Sequence, residues 1–96
     1  MSVPRTSKPT AAAIRSLAAN VRTLRERRGI TQESAAEAAG VSYIYWRQLE
    51  RGTAANPSLG VLVALAVALG VEPMELLRTR AAMPPRPPGR PRTRRK

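Results

Sequence analysis

Tyr43, Ile44, Arg47 and Gln48 fall within the run SYIYWRQ at 42–48, which also carries Tyr45 and Trp46 and so holds every aromatic residue of the chain. Carboxamide and guanidinium groups form paired hydrogen bonds with planar heterocyclic edges. Gln48 suits the donor–acceptor pair of adenine, and Arg47 suits guanine or a phosphate. Ile44 offers apolar contact to a thymine methyl, while Tyr43 offers a ring for a sugar edge and a hydroxyl for phosphate or base. Together these residues supply recognition chemistry. Bond-breaking chemistry has no comparable set, because histidine and cysteine are both absent. Their absence removes thiol, disulfide and zinc chemistry and the commonest general base. There is no paired-carboxylate or phosphate-loop pattern either, so we expect no enzyme, no cofactor, no metal and no small-molecule ligand.

Charge points the same way. The formal net charge is +11 over 96 residues, and its distribution is uneven. Residues 81–96 contain Arg86, Arg90, Arg92, Arg94, Arg95 and Lys96 and no acid, whereas residues 14–80 carry nine basic and six acidic side chains. A short cationic block of this kind suits a polyanion, through release of condensed counterions. The longest uncharged run, Leu59 to Val71, is 13 residues, and a membrane-spanning helix needs roughly 20. The opening MSVPRTSKPT has no apolar signal region. The expected setting is a reducing cytoplasm, with association to the nucleoid and no membrane contact.

The elements that position SYIYWRQ are helical. Ile14, Leu17, Ala18, Val21 and Leu24 form one apolar stripe at helical spacing, closed by a cationic turn and Gly29. Thr31 is a good N-cap for a second helix that Gly40 ends, and Ser42 caps a third that runs to Arg51 and stops at Gly52. Asn56-Pro57-Ser58 introduces a fourth helix, Leu59 to Leu69, closed by Gly70, and Glu72-Pro73 starts a short fifth carrying Met74, Leu76 and Leu77. No alternating β pattern is present. At about 100° per residue, Tyr43, Ile44, Arg47 and Gln48 share one face of the third helix. Trp46, Leu49 and Ser42 lie opposite, with Tyr45 and Glu50 between. The fold class is therefore all-α, in three parts: a flexible arm at 1–12, a helical domain at 13–80, and a disordered basic Pro/Arg-rich tail at 81–96, where five prolines lie within Pro84–Pro91.

Two short helices joined at a glycine, the second opened by Gly40-Val41-Ser42, form a helix-turn-helix arrangement. Residues 14–78 resemble the lambda-repressor-like family of the Cro/XRE type. The matching features are Leu24-Arg25, Gly29, Thr31-Gln32, Ala36, Leu49-Glu50-Arg51-Gly52, Asn56-Pro57-Ser58-Leu59 and the Leu-Ala-x-x-Leu-Gly-Val close at 65–71. The resemblance implies a five-helix domain that binds double-stranded DNA, generally as a homodimer, with the third helix in the major groove. It assigns base contacts to positions Tyr43, Ile44 and Gln48, and phosphate contacts to Gln32 and Ser42, continued by Arg51 and Thr53. It also implies an ion pair between Arg25 and Glu50, with Arg25 turned partly toward phosphate. Where family members carry leucine, this chain has Ala35 and Ala39, and Trp46 replaces an aliphatic core residue. We therefore expect Trp46 to turn inward and fill the space that those two alanines leave.

Two features depart from the family pattern. The outer side of the fourth helix reads Gly60, Val61, Ala64 and Val67 where polar residues are usual, so Val61, Ala64 and Val67 are expected at a self-association or partner-docking surface. In the tail, Pro88-Gly89-Arg90-Pro91-Arg92 resembles the Gly-Arg-Pro core of an AT-hook, with proline where that motif has arginine before the glycine. Arg90, Arg92, Arg94 and Arg95 would then reach the DNA backbone or an A·T minor groove. The functional expectation is a sequence-specific, repressor-like transcriptional regulator. The rival readings are an antitoxin-type protein with a partner on helix 59–69, and a non-specific architectural DNA-binding protein.

Overall fold

The structure, a computed structural model, describes residues 7–79. Four α-helices and one 3-10 helix follow in order: α1 (Lys8–Arg28), α2 (Gln32–Ala39), α3 (Tyr43–Arg51), α4 (Leu59–Leu69) and the 3-10 helix Pro73–Leu77. No strand occurs among the described residues. Residues 1–6 of the expected arm and the whole tail at 81–96 lie outside them. None of the helices described is long and apolar enough to cross a membrane.

Local signals account for most boundaries. The side chains of Thr31, Ser42 and Ser58 each accept a hydrogen bond from the backbone N–H three residues on, at 3.0, 3.0 and 3.1 Å, and so satisfy donors that a helix start leaves orphaned. Only three residues separate α2 from α3. Gly40 makes that connection possible by adopting φ 74°, a left-handed conformation costly for other residues, and Val41 N–H then closes back on Ala36 at 3.0 Å.

Two expectations need correction. The helical domain was expected to start at residue 13, yet α1 begins at Lys8. Ser7 caps it, accepting from Thr10 N–H at 3.3 Å, and Pro9 sits in the first turn, where its missing N–H costs nothing. The apolar stripe starts only at Ile14, so its spacing signalled where burial begins and not where the helix begins. The fifth helix is a 3-10 turn instead of an α-helix. Glu72 precedes it without any side-chain cap, and five residues are too few to sustain an α-helix unaided. A side chain from α1 holds it instead: Asn20 Nδ2 donates to the carbonyls of Leu76 at 2.9 Å and Arg78 at 2.6 Å.

The core joins all five elements. α1 packs on α3, α4 and the 3-10 helix, and α2 packs on α3 and α4. Trp46, Leu65 and Leu76 are fully buried in one cluster with Val21 of α1 and Ala35 of α2, and Ala39 packs against its edge. The tryptophan therefore does lie in the same core as the two alanines. Burying one such side chain is worth about 2–3 kcal/mol of hydrophobic stabilisation.

Candidate nucleic-acid interface

α3 is divided lengthwise by its own sequence. Trp46 and Leu49 face the core at 0 and 2% exposure, while Tyr43 and Ile44 stand outward at 41 and 66%. Gln48 is exposed and Arg47 half-buried on the same outer side. The Arg47 guanidinium carbon lies over the Tyr43 ring, 5.6 Å from its centroid. Tyr45 is half-buried and packs against the core edge, which assigns the one ring whose direction helix geometry left open.

Around this face the other candidate residues take defined places. Ser42 is exposed at the α3 N-terminus, its oxygen engaged with Tyr45 N–H. Arg51 and Thr53 are exposed at the other end, where Thr53 N–H donates to Gln48 O at 2.9 Å and fixes the chain as it leaves the helix. Gln32, in the first turn of α2, is half-buried and turned toward α3: its Nε2 donates to Glu50 Oε1 at 3.0 Å. One of the two amide hydrogens is thus committed inside the protein, and an amide nitrogen carries a second.

Glu50 is the junction of this site. Its carboxylate accepts from Arg25 Nε and from Arg25 Nη2 (3.1 Å), from Gln32 Nε2, and from Trp46 Nε1 at 2.6 Å. The Glu50 side chain is only 5% exposed and that of Arg25 only 13%. Arg25 also donates to Ile30 O at 2.9 Å, so α1, the α1–α2 turn, α2 and α3 meet at one ion pair. Burial by itself would push the Glu50 carboxyl up. The hydrogen bonds from Arg25, Trp46 and Gln32, with the Arg25 charge, outweigh that push and hold it below the usual carboxylate range. The hydrogen bond to Glu50 likewise raises Arg25, against a smaller opposing effect of burial.

Trp46 and Gln32 as partners of Glu50 were not anticipated. The first left a signal, since Trp46 and Glu50 stand four apart on one helix and a buried indole N–H needs an acceptor. The second left none, because it joins residues 18 positions apart on different helices. The α4 surface also differs in detail. Val61 and Ala64 are half-buried, with Val61 packed against the core, and only Val67 of the three expected residues stands out, at 73%. The exposed stripe is Leu59 (74%), Val63 (43%) and Val67. Docking of α1 and α2 against α4 rotates the stripe away from the face that sequence alone suggested. Arg90, Arg92, Arg94 and Arg95 lie outside the described residues.

The fold and site define a small repressor-like helix-turn-helix domain. A family model described as a helix-turn-helix domain matches residues 16–79, and the chain belongs to that family. An uncharacterised HTH-type transcriptional regulator from Sinorhizobium fredii is 43% identical over 58 residues, 60% of this chain and 74% of that protein. The restriction-modification controller protein C.AhdI from Aeromonas hydrophila is 36% identical. Its crystal structure superposes with a TM-score of 0.62, covering 66% of this chain and 94% of the controller. The P22 c2 repressor, solved with a synthetic operator, is 31% identical with a TM-score of 0.60, over 65% of this chain and 92% of the repressor.

Proposed function

We propose that this protein is a sequence-specific, repressor-like transcriptional regulator that binds double-stranded DNA as a homodimer, with α3 in the major groove. The observation that carries the reading is the outer face of α3, where Tyr43, Ile44 and Gln48 stand exposed on a helix whose other face is locked into the core by Trp46 and Leu49. A rigid helix bearing bidentate side chains is what base-edge readout requires. Gln48 takes adenine, Ile44 a thymine methyl, and Tyr43 and Arg47 complete the face.

Ser42, Arg51 and Thr53 hold the phosphate backbone on either side, and Gln32 adds its second amide hydrogen from the α2 N-terminus. The cations of the 81–96 segment add phosphate attraction without sequence preference. Pairing of two copies would set half-sites about 34 Å apart on a palindromic site. Such a regulator works in the cytoplasm, at the nucleoid.

Selection of bound duplexes from a random library, followed by binding titrations with the selected site, tests this reading. Gln48→Ala should lose about 1–3 kcal/mol on the selected site and little on random DNA. Deleting residues 84–96 should weaken both and flatten the salt dependence. Enrichment of no common sequence would sink the sequence-specific reading and favour an architectural protein.

A further inference from the structure

We propose that Tyr43 is a positioning residue for Arg47, and that the pair reads a guanine as one unit. The inference rests on α3 lying in the major groove, and three observations carry it. First, the guanidinium carbon stands 5.6 Å from the Tyr43 ring centroid, within the range where the ring quadrupole attracts a cation. Second, no acceptor among the described residues takes an Arg47 N–H. Arg25, by contrast, spends its donors on Glu50 and Ile30. The guanidinium is thus drawn toward the ring face, while the five donors of its planar fork meet no acceptor among the described residues. Third, the two residues are four apart on the exposed side of α3, and long helical side chains lean toward the helix N-terminus. The contact therefore draws the charge of Arg47 toward the end of the helix that enters the groove, away from the α3 C-terminus where Arg51 and Thr53 flank the backbone.

A fork fixed in this way is prepared for the O6 and N7 acceptors of guanine, the commonest bidentate partner of arginine. A free arginine would have to give up rotamer freedom on binding, and a cation–π contact at an exposed site reduces that loss by about two- to fivefold in affinity. Tyr43 thereby sharpens a base preference through Arg47. The role uses the ring and not the hydroxyl, so it separates from a direct contact of the Tyr43 hydroxyl with DNA. A direct ring contact to sugar does not act through Arg47, so a double variant of Tyr43 and Arg47 separates it.

The test uses the full chain and the duplex that wild-type protein selects from a random library, together with duplexes substituted at each guanine of that site. Arg47→Ala should cost about tenfold or more on the selected duplex and abolish discrimination at one guanine position. Tyr43→Phe keeps the ring and should preserve discrimination there. Tyr43→Leu keeps apolar bulk without the quadrupole and should weaken discrimination at that same guanine by about two- to fivefold, while the double variant Tyr43→Leu/Arg47→Ala should lose no more than Arg47→Ala alone. The outcomes separate the claims. If Tyr43→Leu leaves that guanine preference intact while Arg47→Ala removes it, Tyr43 does not position Arg47. If Tyr43→Phe loses the preference as fully as Tyr43→Leu, the hydroxyl acts and the ring contact does not. If Arg47→Ala weakens all duplexes equally, Arg47 holds phosphate and the proposal falls, although α3 readout survives if Gln48→Ala alters another position. If no α3 variant changes any base preference, the reading of α3 as the reader is itself wrong.

Discussion

Glu50 shows how much a single carboxylate can organise. It accepts from three side chains, on α1, α2 and its own helix, and it is nearly buried. Replacing it with glutamine keeps the shape but removes the charge that Arg25 faces. Arg25 would keep only the more distant and half-exposed Glu26, 4.0 Å away, and losing its main partner should cost about 1–3 kcal/mol, a large part of the stability of a small domain. Glu50→Gln should therefore lower the unfolding midpoint in urea sharply. The loss should carry a pH signature as well. The folded Glu50 carboxyl sits below its unfolded value of about 4.3. Its stabilising share is therefore complete above that pH and drains away as pH falls through the lowered folded value. Chemical denaturation between pH 3 and 6 should show a shallower acid loss in Glu50→Gln than in the wild-type protein. Equal slopes would mean that Glu50 titrates alike in both states.

At the level of elements, the 3-10 helix is the piece least able to stand alone, and Asn20 is what ties it down. Asn20 is 4% exposed and interrupts an otherwise apolar stripe on α1. Its two hydrogen bonds satisfy carbonyls at the end of a helix too short to satisfy them itself. Asn20→Ala leaves the buried Leu76 carbonyl unpaired, at a cost of about 1–3 kcal/mol. The damage should be local: amide exchange at 73–79 should accelerate well before that of α2 and α3. A uniform acceleration would instead mean that the 3-10 helix and the core open together. Leu76, fully buried beneath this element, is the reason to expect some spread into α1 and α4. The α2–α3 pair needs no such tie, since its caps and the Gly40 turn are built from adjacent residues.

For the whole molecule, the exposed apolar stripe of α4 is the feature that asks for a partner surface. Leu59, Val63 and Val67 recur at every fourth residue and remain exposed after the chain has packed its core. An apolar stripe on a helix without any charge favours burial against another surface. For the homodimer proposed above, we propose this stripe as the meeting surface. Sedimentation should then show a dimer at micromolar concentration, and Val67→Lys should return it to monomer while leaving the helical circular dichroism unchanged. A wild-type monomer at high micromolar concentration would rule out pairing of free protein. Co-purification of a second small protein would point to a docked partner instead.

The helix-turn-helix pair was legible in the sequence because every signal for it is local. Caps at Thr31 and Ser42, the stop at Gly40, and the split of α3 into Trp46–Leu49 and Tyr43–Ile44 faces all involve residues within a few positions of one another. The repressor-like family was legible for the same reason, as a set of short motifs along residues 14–78. Only the tertiary structure decided that Gln32 turns to Glu50, that Asn20 holds the 3-10 helix, and that Val63 and not Val61 faces outward on α4. Each of these depends on which neighbour a helix meets and at what rotation. A periodic pattern fixes an apolar face to within a turn, but a helix of small apolar residues such as α4 has no polar face to mark its orientation. Its rotation is set by α1, α2 and the 3-10 helix packing against it.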